Sequence, residues 1–286
     1  MKFLVTGVGG QLGYDVVKEL KKRNYFAVGV DSAEMDVTSI TAVEDTFSSV
    51  KPNVVIHCAA WTAVDAAESN KNACFLVNAT GTENVVNACK KTGAKLIYIS
   101  TDYVFEGNGT APWKTDDTVN PLNVYGASKY AGEQAVLSYE KSFVVRTAWV
   151  FGKNGSNFVK TVLKLARSNK ELNFVNDQIG TPTYTADLAR LLVDMAETDK
   201  YGIYHATNEG GYISWYDFTK QILKDCSIND VVVNPVPSSQ FKTAAKRPFN
   251  SRLDKSKLSV NGFKPLPDWQ DALKRYLNEI GEINAN

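Results

Sequence analysis

Tyr125 and Lys129 stand four residues apart in the stretch PLNVYGASKYAGE, just past a Pro-Leu-Asn turn. Four residues make about one helical turn, so a helix beginning near Val124 projects a phenol and an ammonium from one face toward a common target. Upstream, YISTDYVF sets Ser100, Thr101 and Asp102 at the end of an apolar run, where open α/β sheets bind ligands. A hydroxyl there can hold a carbonyl beside the phenol of Tyr125.

A second signal lies at the start of the chain. In TGVGGQLG, Gly7, Gly10 and Gly13 are spaced G-x-x-G-x-x-G between an apolar strand and an amphipathic helix, with Gly9 as a fourth glycine. Such a turn brings the backbone close to a pyrophosphate, and the helix amino end supplies N–H groups and positive dipole to the anion. Asp31 ends the next strand, in VGVDS, where a carboxylate receives ribose hydroxyls. An acid there repels a 2′-phosphate, and only Ser32 follows as a polar aid, so Asp31 favours NADH over NADPH. Asp36, in MDVTS, is a further acid for the adenine side.

These signals describe one reaction. A phenol is a poor acid near neutrality, with an ordinary pKa of about 10. Lys129 and an oxidised nicotinamide beside it both favour the phenolate and draw that pKa toward the working range. Tyr125 then passes a proton to a carbonyl oxygen while hydride reaches the carbon, with Lys129 on the nicotinamide ribose and Thr101 on the carbonyl.

The elements that must position these groups follow from periodicity. Apolar runs KFLVTG, YFAVGVD, NVVIHCAA, KLIYIST and SFVVRTAWV alternate with helical patterns at 12–24, 39–50, 73–92 and 124–139. This alternation implies βαβ units, and the unbroken apolar runs imply a parallel sheet covered on both faces. The expected fold is α/β, a doubly wound Rossmann-type sheet with a smaller C-terminal substrate-binding lobe. Residues 1–150, rejoined by 183–209, form the dinucleotide-binding domain; 151–182 and 210–286 form the lobe. Helices are expected at 158–166, 186–198, 215–224 and from about 268, and NDQIGTPTY reads as irregular.

Composition excludes several classes. With 44% hydrophobic and 22% charged residues, the chain has the make-up of a soluble globular protein. A formal net charge of +1, with scattered basic residues and no aromatic-basic stripe, argues against nucleic acid or an anionic membrane as partner. No apolar window reaches bilayer length, and the start shows no signal peptide. Cys58, Cys74, Cys89 and Cys226 lie far apart and read as reduced residues of a cytoplasmic protein. With His57 and His205 as the two imidazoles, no zinc site suggests itself.

The glycine turn, Asn78 in LVNATGTENVV, the S-T-D run and Y-x-x-x-K together resemble the extended short-chain dehydrogenase/reductases. Longer stretches, AAWTAVDAAE, STDYVFEGNGTAPW, PLNVYGASKYAGE, RTAWVFG, NDQIGTPTY and RPFNSRL, resemble one branch of them, the dTDP-4-dehydrorhamnose reductases, over nearly the whole chain. His57 stands where many of these relatives carry Asn. The resemblance implies reduction of the C4 ketone of dTDP-4-dehydro-L-rhamnose by NADPH or NADH, the last step of dTDP-rhamnose formation for cell-surface polysaccharide. It implies Thr101, Tyr125 and Lys129 as catalytic residues. Gly7, Gly10, Gln11, Leu12, Asp31, Ala59, Ala60 and Thr62 join Tyr125 and Lys129 at the cofactor. Val64, Thr101, Asp102, Tyr103, Trp149, Asn176, Gln178 and Arg247 meet the dTDP-sugar, with Trp149 as a wall for the base and Arg247 as a cation for the phosphates. Some members form homodimers with help from Mg2+, whose ligands the sequence leaves open.

Two other readings belong beside this one: reduction of a different nucleotide-linked 4-keto-deoxysugar, and a binding role like that of the regulatory subunit of methionine adenosyltransferase. Related 4,6-dehydratases follow S-T-D with Glu, whereas Tyr103 follows Asp102 here. Without that second carboxylate an elimination is poorly served, and simple carbonyl reduction is the better assignment.

Overall fold

The apolar runs become β1 (Lys2–Thr6), β2 (Phe26–Val30), β3 (Val54–His57), β4 (Lys95–Thr101) and β5 (Ser142–Thr147) in a computed structural model that describes residues 1–284. A sixth strand, Gly202–His205, completes a sheet whose order runs from it through β5, β4, β3 and β1 to β2. All five pairings are parallel. The order reverses direction around β1, which opens a crevice at the carboxyl ends of β1 and β3, the place where doubly wound sheets bind ligands.

Both faces are covered, as the continuous hydrophobic strands require. Helix α1 (Gln11–Lys22) buries Leu12, Val16 and Leu20 on one face, together with Leu188, Leu191 and Leu192 of the helix Thr185–Ala196. On the other face α2 (Ile40–Val50) contributes Val43 and Phe47. The short helices α3 (Val64–Ser69) and α4 (Lys71–Phe75) lead into α5 (Thr82–Thr92), which adds Val85, Val86 and Cys89, and α6 (Val124–Leu137) adds Val136. A second core gathers Phe151, Val159, Val162, Leu163, Phe218, Ile222, Trp269 and Leu273.

Three departures from the sequence expectation have local causes. The stretch expected as one helix over 73–92 contains a π-helical segment, Leu76–Gly81, between α4 and α5. Its excess residue cannot be read from periodicity, because the apolar face continues through it. NDQIGTPTY, expected to be irregular, holds two-residue strands, Ile179–Gly180 and Thr183–Tyr184, each paired outside the main sheet. The strand Val232–Val236, in a stretch to which the sequence assigns no element, pairs with Glu171–Val175 in a two-stranded sheet. Pro235 is tolerated there because such a strand has an outer edge that needs no donor.

Ala285 and Asn286, the end of the expected lobe, lie outside the described residues. All four cysteines are free. Among the described residues no helix is long and apolar enough to cross a membrane.

Candidate active site

Helix α6 starts where it does because Asn123 caps it, its side-chain oxygen accepting from the N–H of Gly126 at 2.8 Å. The same side chain donates to the carbonyl of Lys246 at 2.8 Å, which ties the helix start to the chain near Arg247. Tyr125 thus leaves the first turn of α6 and Lys129 the next. Thr101 ends β4 opposite Thr147 of β5 and caps the short 3-10 turn Asp102–Val104, its hydroxyl accepting from Tyr103 N at 3.2 Å.

A cleft of about 810 Å³ joins these groups to the glycine turn. Gly7, Gly10, Gln11, Leu12 and Asp31 line one end, and Ala59, Ala60 and Thr62 line it after β3. Thr101, Tyr125, Lys129, Val64, Asp102, Tyr103 and Trp149 complete the same cleft, with Asp36 near Asp31. Asn176, Gln178 and Arg247 are not among its walls. Asn176 is exposed and donates its backbone N–H to Val236 at 3.1 Å, and Gln178 is half-buried beyond it. Arg247 forms an ion pair with Asp65 of α3, its two terminal nitrogens lying 3.1 and 2.6 Å from the carboxylate, and it lies close enough to Tyr103 to interact with that phenol.

The glycine turn is tightly packed at its end of the cleft. Gly7 has φ +71°, and a Cβ there would lie 2.7 Å from the backbone nitrogen of Ala59, so the turn can approach β3 this closely only without a side chain. Asp31 Oδ2 accepts from Gly9 N at 3.0 Å and Oδ1 from Ser32 N at 3.0 Å, which fixes the carboxylate at the rim. Sequence reasoning missed the contribution of Gly155 and Ser156, which also line the cleft. Asn154 donates to the carbonyl of Gly9 at 2.8 Å and Asn157 to Gln11 Oε1 at 3.1 Å. The run FGKNGSNF reads only as a loop, since nothing local signals its return to the glycine turn.

The electrostatics at the catalytic end depart from expectation. Tyr125 keeps part of its surface in the cleft, yet desolvation holds its phenol above the ordinary range, with the Thr101 hydroxyl working the other way and Asp102 adding to the rise. Burial brings Lys129 down to about 7, opposed by Glu133, Cys58 and Cys74. The ammonium is drawn over the Tyr98 ring, 4.1 Å from its centroid. The depressed phenol expected from the sequence is therefore absent from the chain by itself: the walls that bring the two groups together desolvate both. Asp102 is raised by burial to about 6, moderated by Ser251 and Thr101. Its Oδ1 accepts from Thr101 at 3.1 Å, and its Oδ2 lacks a well-formed hydrogen bond.

Asn78, in the π-helical segment, braces the site from behind. Its side chain accepts from Trp61 N at 2.8 Å and donates to Trp61 O at 3.1 Å and to Ser128 of α6 at 2.9 Å. π-helical segments recur at functional sites, and here one aims a side chain at both the β3 loop and α6.

His57 has a structural part. Ala59 N donates to Thr6 Oγ1 and Thr82 Oγ1 donates to Asn78 O, which leaves Thr6 to donate to Nδ1 at 2.7 Å and Thr82 to accept from Nε2 at 3.2 Å. The imidazole is neutral, and burial, followed by the charge of Lys129, lowers its pKa to about 3. His205 is lowered to about 3 by burial and the Arg146 charge. Below pH 6.5 the unfolded chain binds protons at both histidines that the folded chain refuses until about pH 3. Their stabilising contribution is therefore full above 6.5 and is lost as pH falls. Asp102, raised when folded, offsets part of this. Urea unfolding at pH 5.5 should show a stability about 2 kcal/mol below that at pH 7; equal stabilities would reject this account.

Trp149 has φ +52°, a conformation that a bulky residue rarely adopts. Its indole stacks on Trp215 with centroids 3.5 Å apart and planes inclined by 12°, which presents a flat aromatic wall to the cleft. Among the described residues no group of three or more His, Cys, Asp or Glu side chains is arranged to hold a metal ion.

Comparison with known proteins gives a consistent result. The profile of the RmlD substrate binding domain matches residues 1–282. The dTDP-4-dehydrorhamnose reductase of Aggregatibacter actinomycetemcomitans is 41% identical, covering 96% of this chain and 97% of that protein. The spore coat polysaccharide biosynthesis protein SpsK of Bacillus subtilis is 37% identical, covering 97% of each. The crystal structure of dTDP-4-dehydrorhamnose reductase from Bacillus anthracis in complex with NADP is 41% identical, with a TM-score of 0.94 over 98% of this chain and 100% of that one.

Proposed function

The chain belongs to the RmlD substrate binding domain family, and on that premise we propose that it reduces the C4 ketone of dTDP-4-dehydro-L-rhamnose to dTDP-L-rhamnose with NAD(P)H. One observation carries the reading: Thr101, Tyr125 and Lys129 converge in a single cleft with the glycine turn. The residues fit a dinucleotide, because the glycine turn and the amino end of α1, from Gly10 to Gly13, line the cleft.

The bound dinucleotide supplies hydride to the carbonyl carbon. Thr101 holds the carbonyl oxygen, and Tyr125, kept protonated by desolvation, donates its proton to the oxygen as negative charge develops there. Lys129 would hold the nicotinamide ribose and steady the phenolate left on Tyr125. Asp102 and Tyr103 border the sugar, Val64 lies beside them, and the Trp149 wall takes the base. Arg247 would exchange Asp65 for the diphosphate, with Asn176 and Gln178 on the same approach. In this reading residues 1–150 and 183–209 carry the cofactor and 151–182 with 210–286 carry the sugar nucleotide.

A role in cell-surface polysaccharide formation is supported by the name of the Bacillus subtilis relative. Four free cysteines support a reducing, cytoplasmic setting. The test is loss of reduced-nicotinamide absorbance on mixing the protein with dTDP-4-dehydro-L-rhamnose, with NADH and NADPH assayed separately. Oxidation abolished by Tyr125→Phe supports the reading; no oxidation with either cofactor rejects it.

Asp31 sets a further expectation. Its carboxylate at the rim repels a 2′-phosphate, so Asp31→Ala should raise kcat/KM for NADPH relative to NADH by about tenfold, the size of one unscreened partial-burial charge contact. An unchanged ratio would assign the choice to another residue.

A further inference from the structure

One turn beyond Lys129 on α6, Glu133 is fully buried and forms a bidentate pair with Arg146 of β5, Nε and Nη2 donating to its two oxygens at 2.9 and 2.7 Å. Arg146 is itself 2% exposed. Its remaining terminal nitrogen donates to the carbonyl of Thr115 at 3.3 Å, and its guanidinium lies over the Phe105 ring at 4.9 Å. A buried ion pair is weak evidence for stability, since apolar residues of similar volume often serve as well. Its position suggests another use. The i, i+4 relation places the carboxylate on the Lys129 side of α6, and Tyr98 connects the two levels. The ring of Tyr98 lies under the Lys129 ammonium, and its hydroxyl donates to the Lys129 carbonyl at 3.2 Å.

We propose that Glu133, anchored by Arg146 and set one turn from Lys129 on the same side of α6, is a positioning residue that holds a fixed negative charge toward the Lys129 ammonium. The proposal rests on the assignment of Lys129 to the cofactor and Tyr125. The groups facing Lys129 are few: His57 at the end of β3 and Cys58 after it, Cys74 of α4, Tyr98 of β4, and Tyr125 and Glu133 on its own helix. His57 is neutral, and burial pushes the Cys58 thiol up to about 12 and the Cys74 thiol upward. Both cysteines are therefore uncharged near neutrality, as are the two phenols. Glu133 is the one carboxylate in the set, and its charge is the largest influence opposing the desolvation of Lys129. Arg146 fixes that carboxylate through two hydrogen bonds, and neither residue of the pair lines the cleft.

The test replaces the pair by neutral groups in two forms, Glu133→Gln with Arg146→Gln and Glu133→Leu with Arg146→Met, so that no unpaired charge is left buried. Glu133→Asp serves as the charge-conserving control. Competitive acetylation of Lys129 as a function of pH, read by mass spectrometry on the protein without ligand, reports its protonation independently of turnover. The half-point should lie near pH 7 in the native chain and in Glu133→Asp, and about one unit lower in the neutral pairs. The alkaline limb of kcat/KM should move by the same amount, giving about a tenfold loss at pH 8 with much less at pH 6. An unmoved half-point overturns the proposal. So does a moved half-point without a moved kinetic limb, and so does failure of both neutral pairs to fold, which would make the pair purely structural. If the native chain shows no reductase activity, the reductase reading fails while the acetylation half-point still judges the pair.

Discussion

Tyr125→Phe should lower kcat by about 10³-fold or more while leaving the Kd for the reduced dinucleotide within about threefold, because in the proposed reaction the phenol donates the proton and the glycine turn with α1 holds most of the cofactor. The ring stays in place in the variant: its edge-to-face contact with Tyr103, at 5.6 Å between centroids, needs no hydroxyl. Loss of turnover with intact binding therefore isolates the proton. Stopped-flow oxidation of NADPH and titration of its fluorescence give the two numbers. A kcat reduced less than tenfold would remove Tyr125 from the donor role and direct attention to Asp102, whose carboxyl, raised by burial to about 6, adjoins Thr101 in the cleft.

Gly126→Ala should be nearly as damaging from a residue that bears no chemistry. A Cβ at Gly126 would come 2.2 Å from the backbone oxygen of Tyr103 and 3.1 Å from Pro121, so the start of α6 must move off the 3-10 turn that follows Thr101. That movement separates Tyr125 from Thr101. A displacement of about 1 Å at a reacting group commonly costs about 10²-fold in rate, and overpacking of this kind costs about 1–3 kcal/mol of stability. Thermal unfolding and kcat measured on the same sample distinguish the two losses. A variant with turnover within threefold of the native chain would mean that α6 can shift without moving Tyr125.

The sheet, its flanking helices and the cleft were legible because each rests on local signals. Apolar runs of strand length alternate with amphipathic stretches, and Gly7, Thr101 and Tyr125 each sit at a strand end or first helical turn that the pattern itself marks, with Lys129 one turn further on. What was not legible depends on contacts between distant segments. The chain from Gly152 to Asn157 reaches the glycine turn through Asn154 and Asn157, and no composition of a loop announces its partner. Arg247 looked like a free cation in KRPFNSRLD, but the fold brings Asp65 against it from 182 residues away. In the chain without cofactor, desolvation raises the Tyr125 phenol, and spacing along a helix, which reports proximity to Lys129, says nothing about that desolvation.

The placement of the sixth strand also bears on how the chain is made. β1 to β5 are complete by Thr147, but the edge of β5 is paired only by Gly202–His205. During synthesis the outer edge of β5 therefore stays open while more than fifty further residues emerge, among them Phe151, Val159, Val162 and Leu163 of the second core. Parallel pairing over such separations is slow, and an open apolar edge is a site for association between nascent chains. Yield on expression should thus depend on elongation rate and chaperone supply between residues 147 and 205 more than on any side chain of the cleft.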